Sequence, residues 1–141
     1  MRRSVYLALG SNLGDRESNI RAALERLDSV FGVHYEKISP FLETSAIGFD
    51  GPDFINCIAV YKSEADPFTI LGWCKGIERE LGRDDTPEYG PDGARIYHDR
   101  LIDIDILRVG RLKIQTPMLT IPHPQVYNRP YIEELLLNLR N

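Results

Sequence analysis

Two aspartates spaced by two, Asp103 and Asp105, interrupt the apolar run Arg100-Leu101-Ile102-Asp103-Ile104-Asp105-Ile106-Leu107. Successive strand side chains point to opposite faces and each residue advances about 3.3 Å, so the two carboxylates share one face about 6.6 Å apart, with Ile102, Ile104 and Ile106 on the other. Burying such a pair without compensation is costly, and each acid raises the pKa of its neighbour. A divalent cation resolves the conflict. Carboxylates, water and phosphate oxygens are the ligands Mg2+ prefers, and two such ions close together clamp a phosphoryl group in transfer. The alternative is a solvated sheet face on which the aspartates pair with Arg100 or Arg108, since alternation of this kind is common in half-exposed strands.

A sheet must carry these side chains, and the rest of the chain supplies one. Ser4 to Leu9 alternates as a strand should, and Gly10-Ser11-Asn12-Leu13-Gly14 ends it with turn chemistry. Ile20, Ala23, Leu24, Leu27, Val30 and Phe31 then fall on one helical face, with Asp15 or Ser18 as N-cap and Gly32 just past the end. Two extended pieces, Val33 to Ser39 and Phe41 to Thr44, are broken by Pro40; after a Gly- and Asp-rich loop, Phe54 to Lys62 reads as a strong strand. A second helix is marked by Asp66 as N-cap, Pro67 in the first turn, Ile70, Cys74, Ile77 and Leu81 on one face, and Gly82 at the stop. From Arg83 to Asp99 the periodicity is lost, as expected of a functional loop or lid. The aspartate strand follows, then a turn at Val109-Gly110-Arg111, a short extended piece, the Pro122-His123-Pro124 corner and a last helix from about Pro130. The order strand, helix, strand, strand, helix, strand predicts an α+β, ferredoxin-like fold: an antiparallel sheet with two helices on one face, the active site on the other, and a short C-terminal helix. A site on the open face draws on Asp103, Asp105 and Asn56.

The 141 residues fit one domain, 1–141, and composition is that of a soluble globular protein, with 43% apolar and 27% charged residues. No stretch approaches the roughly 18 apolar residues of a membrane span. A net charge of −4 argues against a broad nucleic-acid surface and leaves small anions as the fitting partners of local arginines. Met1-Arg2-Arg3 and the apolar residues after it read as a first strand rather than a signal peptide, and Cys57 and Cys74 as reduced core residues, so a cytoplasmic location is expected.

Several segments together carry a more specific signal: Ala8-Leu9-Gly10-Ser11-Asn12-Leu13-Gly14-Asp15, Asp53-Phe54-Ile55-Asn56, Ile77-Glu78 through Leu81-Gly82-Arg83, the aspartate strand, Ile121-Pro122-His123-Pro124 and Asn128-Arg129. In order and spacing the chain resembles the 6-hydroxymethyl-7,8-dihydropterin pyrophosphokinases of folate biosynthesis, which move the terminal pyrophosphate of ATP onto a pterin alcohol. The resemblance implies that Asp103 and Asp105 bind two Mg2+ ions and act in catalysis with Arg100. It implies a pterin pocket of Thr44, Ser45, Ile47, Phe54, Asn56 and Tyr131, with the rings of Phe54 and Tyr131 sandwiching the heterocycle and the Asn56 carboxamide reading its edge. It further implies ATP contacts from Lys75, Glu78, Arg83, Arg100, Ile106, Thr120, His123 and Arg129, the basic groups complementing phosphate charge that Mg2+ leaves uncompensated. Partners are then ATP and the pterin, without nucleic acid or membrane, and a monomer is expected.

The chain departs from the family pattern in three places. Asp84-Asp85-Thr86-Pro87-Glu88 stands where members commonly carry a basic and aromatic stretch, Met118 and Pro124 stand where many place an arginine and an aromatic residue, and the tail after Tyr131 is short. Arg95 and Tyr97 offer a replacement charge and ring. Two other functions use the same features: a non-catalytic ferredoxin-like ligand-binding module, and a metal-dependent phosphohydrolase in which the carboxylates activate water.

Overall fold

The computed structural model describes residues 2–45, 51–82, 88–89, 91–92, 95–96, 101–124 and 129–141. Alternating residues near the start form β1 (Arg3–Ser11), which runs antiparallel between β4 (Phe54–Ser63) and β7 (Asp103–Val109). β2 (Lys37–Ile38) and β3 (Leu42–Thr44) both pair with the outer side of β4, on either side of Pro40. The order β2-β4-β1-β7, with β3 also on β4, leaves β7 at the sheet edge.

Helices α1 (Arg16–Phe31) and α2 (Pro67–Glu80) begin and end where capping chemistry dictates. Asp15 accepts a hydrogen bond from the Ser18 N–H, and α1 stops at Gly32, whose φ of 73° is one that residues with a Cβ rarely adopt. Asp66 caps α2 through the Phe68 N–H, and Pro67 fills the first turn, where no amide hydrogen is needed. Both helices bury their apolar stripes against Val5, Leu7 and Leu9 of β1, Cys57, Ala59 and Tyr61 of β4, and Ile104 and Ile106 of β7. Val30 does not join them and is 36% exposed. Phe31, also expected on that face, does turn inward, its ring stacked on Tyr61 at 4.4 Å. Leu81 is only partly buried at the rim of the same core, and the two cysteines are buried free thiols.

The opposite sheet face is not left wholly open. Helix α3 (Pro130–Leu137) lays Ile132 and Leu135 on Ile58 and Leu107, forming a second, smaller apolar cluster. Leu107 is available because β7 carries a bulge: Tyr6 pairs with Arg108 and Leu7 with Ile106, so Leu107 is an extra residue without a partner in β1. Its carbonyl accepts the His123 N–H at 2.7 Å. The connection after α2, expected to be irregular, contains a two-residue ladder between β5 (Glu88–Tyr89) and β6 (Arg95–Ile96), too short to leave a periodic signal. Apart from a turn at Pro91 and Asp92, the rest of the proposed lid lies outside the described residues. β8 (Ile114–Gln115) and β9 (Thr120–Ile121) form a hairpin whose second strand packs beside β7.

Candidate active site

Cross-strand register decides which side chains meet on the open face. Gly10 of β1 stands opposite Asn56 of β4 on one side and opposite Asp103 of β7 on the other. One step along, Ala8 stands between Ile58 and Asp105. The two smallest side chains of the central strand therefore floor a trough, with Phe54 and Asn56 on one bank and both aspartates on the other. Neighbouring strands are about 4.8 Å apart, so the banks lie about 10 Å from each other.

Gly10 is held to its identity by space. A Cβ there would come within 2.9 Å of Asn56 Oδ1 and 3.4 Å of the Phe54 ring. Asn56 is buried, and its Nδ2 donates to Thr44 Oγ1 at 2.7 Å, which leaves Oδ1 over the trough floor. Thr44 pairs with Phe54 in the last step of the β3–β4 ladder, and Ser45 lies exposed just beyond it. Tyr131, at the start of α3, packs on the second cluster and receives a hydrogen bond from Arg129 Nη1 to its hydroxyl at 2.9 Å.

On the other bank, Asp103 and Asp105 are half-buried and point away from Ile102, Ile104 and Ile106, all of which are core residues. Burial foremost, then the charges of Asp103 and Glu78, push the Asp105 carboxyl up to about 7, against the opposing pull of Arg129 and Lys75. Negative charge thus outweighs the cations at this position. Glu78 was expected on a helix face bordering nucleotide, but it is fully buried beneath β7. Its Oε2 accepts the backbone N–H of Ile104, between the two aspartates, at 2.8 Å, and Lys75 Nζ lies 3.5 Å from Oε1. His123 is held neutral more strongly than an ordinary imidazole, by burial first and by Arg129 second, while Asp103 works the other way. Thr120 lies in β9 beside the strand edge, and Ile106 has its side chain in the core, leaving only its backbone for a ligand.

The donor set suits a hard dication. Among the described residues no group of three or more His, Cys, Asp or Glu side chains forms a ready-made metal cage. Two carboxylates completed by water and phosphate oxygens is the arrangement Mg2+ favours with nucleotides. The Arg108 guanidinium lies over the Tyr6 ring at 4.0 Å, further along the same face. Ile47, Arg83 and Arg100 lie outside the described residues. The trough-floor role of Gly10, which the sequence reading placed in a turn, and the buried position of Glu78 are the features that sequence reasoning missed; the one-turn spacing of Glu78 from Cys74 is the signal that could have found the second.

The 7,8-dihydro-6-hydroxymethylpterin-pyrophosphokinase model matches residues 6–141. The chain belongs to this pyrophosphokinase family. It is 45% identical over 130 residues to the 2-amino-4-hydroxy-6-hydroxymethyldihydropteridine pyrophosphokinase of Porphyromonas gingivalis, covering 91% of this chain and 84% of that protein. The enzyme of the same name from Bacillus subtilis is 37% identical over 133 residues, covering 94% and 75%. A pea protein named folate synthesis bifunctional protein is 36% identical over 136 residues, which span 96% of this chain and 25% of the pea protein. Membership of this family implies ATP and a hydroxymethyldihydropterin as substrates.

Proposed function

We infer that the protein transfers pyrophosphate from ATP to the hydroxymethyl group of 6-hydroxymethyl-7,8-dihydropterin, releasing AMP and the pterin diphosphate, as a step in folate biosynthesis. The observation that carries this reading is the row Asn56–Gly10–Asp103, which sets a heterocycle-reading amide across a side-chain-free floor from a carboxylate pair. Neither a non-catalytic module nor a phosphohydrolase finds support in the family or its relatives.

The residues divide the work by position. Asn56 Oδ1 accepts from the pterin edge, while Thr44 fixes the amide's orientation. Phe54 and Tyr131 supply ring faces, with Ser45 and Ile47 at the pocket border. Asp103 and Asp105 hold two Mg2+ ions, which when bound neutralise the triphosphate and the charge that develops on the leaving AMP. The reaction forms a bond from the pterin oxygen to the β-phosphorus and breaks the bridge to the α-phosphate, and the protein contributes chiefly orientation and electrostatic stabilisation. Arg129, His123, Arg83 and Arg100 complement phosphate charge, with Arg100 closest in the chain to the reacting centre. Lys75 borders the nucleotide beside Glu78, and Thr120 and the Ile106 backbone meet the adenine.

The protein acts on small molecules as a cytoplasmic monomer, without nucleic acid or membrane; no helix among the described residues is long and apolar enough to cross a bilayer. The test is direct. Purified protein mixed with ATP, Mg2+ and the pterin alcohol is expected to form AMP in proportion to pterin, and chelation with EDTA to stop it. Phosphate release that ignores the pterin would overturn the reading.

A further inference from the structure

One side chain outside the trough grips the neighbours of two pocket residues. Arg16, the first residue of α1, donates from Nη1 to the Asp53 carbonyl at 2.8 Å and to Glu43 Oε1 at 3.3 Å. Glu43 directly precedes Thr44 in β3, and Asp53 directly precedes Phe54 in β4, while Thr44 and Phe54 form the last pair of that ladder. Nearby, the buried Asn12 donates to the Pro52 carbonyl at 3.1 Å. The segment bearing both donors is itself fixed, since Asn19 Nδ2 donates to the Leu13 carbonyl at 2.8 Å and the Asp15 carboxylate caps the helix.

We propose that Arg16 is a positioning residue for the pterin pocket: a strut from α1 that keeps Thr44 and Phe54 in register with the trough floor at Gly10. This rests on the pterin assignment made above. The last pair of a ladder frays most readily, having neighbours on one side only, and a two-armed contact from a separate element restrains both strands at once. Arg16 is half-buried and Glu43 exposed, so the contact adds little to global stability. Its effect is local. Both contacts leave one nitrogen, Nη1, whose two N–H bonds are held in the guanidinium plane, whereas a lysine ammonium is a mobile point charge.

The test is steady-state kinetics on the full-length protein, with the Michaelis constants for pterin and ATP measured separately. Arg16→Ala is expected to raise the pterin KM about tenfold, equivalent to about 1.4 kcal/mol, with the ATP KM, kcat at saturating pterin and melting temperature close to wild type. Arg16→Lys should recover part of the loss, and Glu43→Gln, which spares the Asp53 contact, should raise the pterin KM about threefold. An unchanged pterin KM in Arg16→Ala, or equal rises for both substrates with a lowered melting temperature, would overturn the strut. If Arg16→Ala fails to fold, Glu43→Gln decides alone, and an unchanged pterin KM there has the same force. Asn56→Ala, run alongside, separates the two levels of inference. No change in its pterin KM removes the pocket assignment itself; a rise there with none in Arg16→Ala removes only the strut.

Discussion

Asp105 shows how one residue's surroundings state its partner. Burial and the charges of Asp103 and Glu78 raise its pKa to about 7, and Lys75 and Arg129 only partly offset them. In the metal-free protein the folded state therefore holds a proton that the unfolded chain releases near the ordinary aspartate range. Stability from this group is present at acid pH and is lost as pH rises toward about 7. We expect the melting temperature of the metal-free protein to fall over that interval, Asp105→Asn to flatten the fall, and Mg2+ to restore most stability at its alkaline end. A scanning fluorimetry series in EDTA and in Mg2+ checks all three, and an unchanged slope in Asp105→Asn would remove the electrostatic argument. Asp103→Ala and Asp105→Ala should each cut kcat by orders of magnitude with circular dichroism unchanged, because the interaction is needed chiefly in the transition state. Near-normal turnover in both variants would refute the metal assignment.

At the scale of elements, what could be read in the chain was whatever depends on local spacing. The alternation of Ile102 to Ile106 gave the facing of both aspartates, and Asp15, Gly32, Asp66 and Pro67 marked the helix ends where they occur. Properties that depend on a second element were hidden. Glu78 falls one turn after the buried Cys74, but its charge suggested an exposed helix face; a strand lies over it and uses its carboxylate as a backbone acceptor. Gly10 looked like the start of a turn, and only the register with Asn56 shows why a side chain is excluded there. Of the last two residues of the expected apolar stripe, Phe31 packs inward by stacking on Tyr61, whereas Val30 faces out. The register argument gives a prediction: Gly10→Ala should push Asn56 Oδ1 aside and weaken pterin binding about tenfold, equivalent to about 1.4 kcal/mol, while ATP binding changes little. Titration calorimetry with each ligand distinguishes this from a general loss of fold.

At the scale of the whole molecule, the described residues form two apolar clusters of unequal size, one on each side of the sheet. The larger, under α1 and α2, sets the fold; the smaller, under α3, takes in Tyr131 and, from the trough floor, Ala8. Leu135→Ala removes a buried anchor of the smaller cluster and is expected to cost about 2–5 kcal/mol of stability. Because Tyr131, the ring proposed to stack on the pterin, lies in the first turn of α3, the same variant should also raise the pterin KM under conditions where the protein remains folded. Denaturant melts and kinetics below the transition separate the two effects, and a stability loss with unaltered KM would show that α3 only shields the sheet.

The bulge at Leu107 lets one strand serve two masters. Upstream of it, the in-out phase of Asp103 and Asp105 is fixed by pairing with β1, and downstream Val109 resumes its place in the larger core. Both neighbours of the extra residue would keep their facing if it were excised, since Ile106 and Arg108 already pair with consecutive residues of β1. A single-residue insertion at this point thus adds a hydrophobic handle for the terminal helix and a carbonyl for the His123 segment without rotating the carboxylates. Attachments to the far end of the aspartate strand can be gained or lost there while its carboxylates stay in frame.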